Sequence, residues 1–317
     1  MVISASATQI AEKAIYTLTH GSSTAKLVVF PQIGQMPEMH RQQWNEIKVE
    51  GLSRPNTYDG VNRDRIGMLF CENYMAAAVA DGNLRDGALV ADRIVKETLR
   101  KLFHHYQKIP NEAELKTALM IAWYNIVNDF STTAWNGGTT LSVVVVSKNG
   151  EFRAAQVGDS PIYLIEKEIP DKLGSEETIF VGKIRERAKG LDYRTYFEND
   201  HQMTSCILIE DVVDKWVETT SGIIRKGDQI LILSDGLTKN MPVIVDPSGL
   251  ITDSTRCLEI YEAVLRRERV GTLAGAFGRD LQRFSDPLLL SGRVLLKGIE
   301  AYRLAPDDKS GITLSHE

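Results

Sequence analysis

The run Thr139–Ser147 (TTLSVVVVS), followed by Asn149-Gly150 and answered by Glu151–Val157, constrains this chain more than any other stretch. Consecutive β-branched and apolar residues suit a pleated, buried surface, so the run predicts a central strand. Asn-Gly is the strongest short-range hairpin signal, and it returns the chain beside itself. The pairing is therefore antiparallel, unlike the parallel ladder of a doubly wound fold.

Two long helices are expected beside that sheet. Leu84, Ala88, Ala91, Val95, Leu99, Leu102 and Tyr106 recur at three- to four-residue spacing, with Arg93, Lys96, Glu97 and Arg100 on the opposite face. After Pro110, Asn111 and Glu114 form a capping box for a second stripe of Leu115, Leu119, Ala122, Ile126 and Phe130. Elsewhere Ile10–Thr17 reads as a short helix, while Lys26–Phe30, Glu46–Leu52, Ile66–Phe70 and Gly311–Ser315 read as strands. Arg54–Val61 and Glu166–Leu191 read mainly as loops, and Asp253–Leu265 and Thr272–Phe284 as helices. The sum is an α+β domain of stacked antiparallel strands flanked by helices.

Composition narrows the function classes. With 43% hydrophobic and 25% charged residues, the 317-residue chain has ample apolar surface for a sizeable core. A net charge of −5 offers no bulk basic footprint, so nucleic acid is not an expected partner. No apolar run approaches the ~18 residues that span a bilayer, and Met1–Leu18 lacks a basic n-region, so neither membrane nor signal peptide is expected. Cys71, Cys206 and Cys257 are widely spaced and odd in number, which fits reduced thiols in a cytosolic protein. His201 reads as a turn histidine, His104-His105 as the solvated end of a helix, and Trp123 and Trp135 as packing residues.

The chemistry lies in acids at strand ends. Ala76–Ala80 delivers Asp81-Gly82, and Ile230–Leu233 delivers Asp235-Gly236. Asp159 follows Val157-Gly158, and Asp307-Asp308-Lys309-Ser310 leads into Gly311–Leu314. Separate strand ends that each present an aspartate point to one shared site. Two like charges about 4 Å apart repel by roughly 4 kcal/mol at an effective dielectric near 20, so such a cluster must protonate or recruit cations. Cations are the expected answer. Asp-Gly is also an ordinary hairpin turn, but a helical pattern rather than a return strand follows Asp81.

Taken in order, Asn62-Arg63-Asp64, Val79-Ala80-Asp81-Gly82, Gly138-Thr139-Thr140, Val157-Gly158-Asp159-Ser160, Leu233-Ser234-Asp235-Gly236-Leu237 and Asp307-Asp308-Lys309-Ser310 resemble the PPM (type 2C) metal-dependent Ser/Thr protein phosphatases. The resemblance implies a four-layer αββα sandwich of two stacked antiparallel sheets flanked by helices. It leaves residues 1–50 as an N-terminal extension packed on a phosphatase domain of residues 51–317. It also implies two Mn²⁺ or Mg²⁺ ions held by Asp81, Asp235, Asp307 and the Gly82 carbonyl, with Asp159 linked to a third, weaker one. Asp64 matches the acid that acts on the attacking water.

The implied reaction is direct hydrolysis of phosphoserine or phosphothreonine in a phosphoprotein substrate. No cysteine motif or G-x-S-x-G elbow suggests a covalent nucleophile. Arg54, Arg63 and Arg85 are candidates for the substrate phosphate, since a guanidinium fork fits a phosphate dianion. Three departures bear on activity, and the glycine losses among them favour an alternative, a catalytically weak relative serving as a binding or regulatory module, while the retained acids favour the enzyme. Arg63 stands where the family writes Glu; Leu84 and Arg85 replace two glycines; Asn83 occupies the place of a histidine proposed as general acid. The sequence leaves oligomeric state open.

Overall fold

Gly150 takes φ +79° and its N–H donates to the Ser147 carbonyl at 3.1 Å. The hairpin is thus bridged by three residues, Lys148 to Gly150, with glycine supplying the left-handed position. The computed structural model describes residues 14–31, 38–55, 61–130, 137–166, 169–173, 207–208, 217–234, 236, 294–296, 299–301 and 308–317.

The described chain begins with β1 (Ala14–His20), β2 (Ser23–Phe30), β3 (Glu38–Trp44), β4 (Ile47–Arg54), β5 (Arg65–Phe70), β6 (Tyr74–Ala80) and β7 (Gly82–Asn83). Helices α1 (Gly87–His105) and α2 (Glu112–Phe130) follow. Then come β8 (Gly138–Thr139), β9 (Leu141–Ser147), β10 (Glu151–Val157), β11 (Ile162–Glu166), β12 (Ile169–Leu173) and β13 (Ile207–Leu208). The last strands are β14 (Glu218–Ile223), β15 (Gln229–Leu233), β16 (Val294–Leu296), β17 (Ile299–Ala301) and β18 (Lys309–His316).

Two large antiparallel sheets carry the fold, one ordered β1-β2-β5-β6-β9-β10-β14 and the other β12-β11-β15-β18-β4-β3. Strand β6 shows why they stack. Met75, Ala77 and Val79 join a core shared with Ile230, Ile232, Ile312 and Leu314 of the second sheet, while Ala76, Ala78 and Ala80 face Ile94, Val95 and Leu99 of α1. The strand is buried on both faces, so it reads as continuous apolar residues rather than as alternation. Small alanines on the helix side let α1 lie close against the sheet. The capping box forms as read: Glu114 N–H donates to Asn111 Oδ1 (2.9 Å) and Asn111 N–H to Glu114 Oε2 (2.7 Å).

Two readings are corrected. Residues 14–17, taken as part of a helix, form the edge strand β1, which pairs with β2 from Ala14↔Val29 to His20↔Ser23. A tight turn at Gly21 (φ +60°) and partners on β2 outweigh a helical preference that is weak in Ile15-Tyr16-Thr17. Leu84, taken as the first residue of the α1 stripe, precedes the helix and is exposed, because Gly82 and Asn83 pair instead with Thr139 and Gly138. The helices read at 253–265 and 272–284 lie outside the described residues, as do His201, Cys206, Cys257 and Trp135. Trp123 is buried in the helix-side core, and burial pushes the Cys71 thiol up to about 11, in keeping with an inert bystander. No described helix is long and apolar enough to cross a membrane.

Candidate metal centre

Strand register decides which residues meet at one pole of the sandwich. Arg65 pairs with Ala80, which puts Asp64 and Asp81 just beyond the same end of the β5–β6 ladder. Val79 pairs with Ser142, and Leu141 with Val157, so Gly158-Asp159 reaches that end as well. In the second sheet Leu233 pairs with Gly311 and Ser53 with Ser310, which brings Ser234 and Asp308 to the matching ends of β15 and β18.

Buried side chains lock the two sheets together there. Asn62 Nδ2 donates to Ser53 Oγ (2.9 Å), and Ser53 Oγ is hydrogen-bonded to Ser310 Oγ at 2.6 Å. Ser310 N–H donates to Ser234 Oγ (2.9 Å), and Arg63 N–H donates to Asp308 Oδ2 (2.6 Å). On the other flank Thr140 Oγ1 meets Ser160 Oγ at 2.6 Å, and Ser142 Oγ donates to the Ser160 carbonyl.

Asp81 itself is clamped through its backbone. Its N–H donates to Thr140 Oγ1 (3.0 Å), while its carbonyl accepts from Thr140 N–H (2.9 Å) and Thr139 Oγ1 (2.9 Å). The Gly-Thr-Thr motif is thereby the support on which the Asp81 loop rests. Gly82 is a packing requirement as well: a Cβ there would lie 2.7 Å from the Arg63 carbonyl oxygen and nearer still to Gly87.

The pole gathers buried charge. Asp64 is fully buried, Asp159 and Asp308 nearly so, and Asp81 partly exposed. Arg65, also fully buried, donates from Nη1 to the carbonyls of Asn62 (2.9 Å) and Asp64 (2.6 Å), and its Nε lies 3.8 Å from Asp92. Removing an ionised carboxylate from water costs on the order of several kcal/mol unless positive charge accompanies it. Carboxylates and a backbone carbonyl are hard oxygen donors, so the donor chemistry at this pole fits Mg²⁺ or Mn²⁺. Among the described residues no three acidic, histidine or cysteine side chains form a ready cage. Asp235 and Asp307 lie outside the described residues; their chain neighbours Ser234 and Asp308 are at this pole.

The candidate arginines differ in circumstance. Arg54 ends β4 opposite Lys309, and Arg63 is partly buried beside Asp308 through its backbone. Arg85 is exposed and turned onto Asp86, with Nη2 2.9 Å from Oδ2; that bond and charge hold its guanidinium above the ordinary value. The altered loop keeps a glycine-like course despite its sequence. Leu84 holds φ +61°, a left-handed form that costs a non-glycine residue about 1–3 kcal/mol.

Ser53 was not singled out from sequence, and Ser160, Ser234 and Ser310 entered only as members of longer motifs, because short polar side chains on strand ends read locally as turn formers. Ser53→Ala removes both hydrogen bonds of that hydroxyl and strands the Asn62 amide. The expected cost is about 1–3 kcal/mol, read as a lower urea midpoint with unchanged slope. An unaltered midpoint would mean that the serine bridge contributes nothing to holding the sheets.

Among solved structures, the PPM Ser-Thr phosphatase MsPP from Mycobacterium smegmatis, in complex with cacodylate, matches with a TM-score of 0.58 at 16% identity, over 85% of this chain and 98% of that one. The fold is that of the PPM phosphatases. PstP/Ppp, a serine/threonine phosphatase of Mycobacterium tuberculosis, matches with a TM-score of 0.55 at 17% identity, over 86% of this chain and 99% of that one. The catalytic domain of PstP in complex with two manganese ions matches at 0.58 and 15% identity, over 85% and 97%. No family model matches the sequence, and no curated protein does. At such identities the likeness is one of architecture, and in the PPM fold of this chain β5, β6, β9, β10, β15 and β18 all end at the acidic pole.

Proposed function

We propose that this chain is a cytosolic, Mn²⁺- or Mg²⁺-dependent phosphatase that hydrolyses phosphoserine or phosphothreonine in proteins. The observation that carries the reading is the strand register, which aligns Asp64 and Asp81 at one end of the β5–β6 ladder within a PPM fold. Asp81, Asp235, Asp307 and the Gly82 carbonyl would hold two ions, with Asp159 serving a third. When bound, such ions supply Lewis acidity that makes water nucleophilic near neutral pH and offsets phosphate charge.

The protein's own side chains do the rest. Asp64, buried beside that ladder, orients the attacking water and takes its proton at the carboxylate. Arg54, Arg63 and Arg85 are the candidates for holding the substrate phosphate, and Arg85 would have to leave its contact with Asp86 to do so. Thr139 and Thr140 keep the Asp81 loop from shifting as charge develops.

The test is hydrolysis of p-nitrophenyl phosphate by the full chain with Mn²⁺, followed by phosphopeptides set against phosphosugars. Metal-dependent turnover with preference for phosphopeptides is expected. Absence of turnover, with Mn²⁺ binding retained, would instead favour a binding or regulatory module, the reading suggested by Arg63 and by the loop at Leu84. A preference for phosphosugars would move the substrate class to small metabolites.

A further inference from the structure

The loop after Gly82 departs from ordinary backbone economy in two adjacent residues. Asn83 buries its side-chain oxygen with no hydrogen-bond partner among the described residues. Leu84 holds φ +61° while leaving 55% of its surface exposed. Among the described residues only Asn45 shares a positive φ without being glycine, and asparagine in the β3–β4 turn is a common solution. Leucine has no side-chain reason to adopt that form. A lone exposed leucine is unremarkable on a protein surface; a leucine held out by a strained backbone beside an acidic pole is not.

We propose that Leu84 is a specificity-determining residue that contacts an apolar side chain flanking the phosphorylated residue of an extended peptide substrate. The proposal rests on the phosphatase reading above. Leu84 is three residues from Asp81, so their Cα atoms are at most about 11 Å apart. An extended peptide advances about 3.3 Å per residue, so with its phosphate at the acids, side chains one to three positions away fall within that reach. A small phosphomonoester carries nothing that extends so far. Glycine would relieve the strain at this position, and the leucine side chain is what glycine would lose.

The experiment compares two matched phosphopeptides, one with leucine or valine around the phosphoserine and one with glycine or serine there. Wild type, Leu84→Gly and Leu84→Asn are assayed in parallel, each peptide's kcat/KM being referred to that for p-nitrophenyl phosphate. Wild type should prefer the apolar peptide by about 10-fold, the scale of one apolar contact in a selective pocket. Both variants should lose most of that preference, and Leu84→Gly should melt about 2–4 °C higher through relief of strain. A titration of peptide binding on the same three proteins reads the preference without turnover. Equal preference in all three proteins, or none in wild type, overturns the role of Leu84 while leaving the phosphatase reading intact. Absence of hydrolysis of every substrate overturns that reading instead. A change in sedimentation on replacing Leu84, with the peptide preference unmoved, would assign the side chain to self-association and also overturn the proposal.

Discussion

Asp81→Asn is expected to abolish metal-dependent hydrolysis while sparing the fold. Asparagine is nearly isosteric, and the backbone N–H and carbonyl of residue 81 stay bonded to Thr139 and Thr140, so the loop should keep its course. What changes is the anionic ligand. A loss of at least about 10³-fold in kcat/KM, roughly 4 kcal/mol of transition-state stabilisation, is the expected scale. Mn²⁺ titrated calorimetrically should bind wild type and bind the variant far more weakly, and the melting temperature without metal should not fall, because the variant removes one of several like charges. If the variant retains both turnover and Mn²⁺ affinity, Asp81 is a turn former and the metal centre lies elsewhere.

Gly82→Ala should be the most damaging small substitution at this pole. The added methyl meets backbone, which cannot swing aside as a side chain can: Arg63 O at 2.7 Å on one side and Gly87 on the other. The contact is mutual, since a Cβ on Gly87 would lie 2.6 Å from the Gly82 carbonyl carbon. Overpacking of this kind costs about 1–3 kcal/mol or more, expected as a drop in melting temperature of several degrees. The Asp81 loop and the start of α1 must part to admit the methyl, so activity should fall by more than stability alone explains. Gly87→Ala should give a similar loss, and the double variant less than the sum, because one displacement relieves both clashes. Simple additivity would show that the two glycines act separately.

The capping box at Asn111 and Glu114, the hairpin at Gly150, the doubly buried β6 and the strand–acid–glycine pattern of Asp81 were all legible. Each depends on neighbours a few residues apart. The reading failed where remote partners outweighed local preference. Residues 14–17 became a strand because β2 offered them hydrogen bonds, and Leu84 left the helix because Thr139 and Gly138 claimed the residues before it. The pairing of the serine and threonine supports was equally hidden, although most of them stood in the quoted motifs: Ser53 and Ser310, bonded at 2.6 Å, are 257 positions apart.

Taken alone, the sequence determined the kinds of element and the chemistry of their ends, since apolar periodicity, caps and turn residues act through short-range sterics and hydrogen bonds. It also determined which acids stand at strand ends. Only the tertiary structure decided that Asp64, Asp81 and Asp159 share one pole, that Asp308 fastens the last strand to the Arg63 backbone, and that a leucine keeps a glycine's conformation. Those outcomes depend on strand register and interlayer packing, which arise from contacts between residues far apart in the chain.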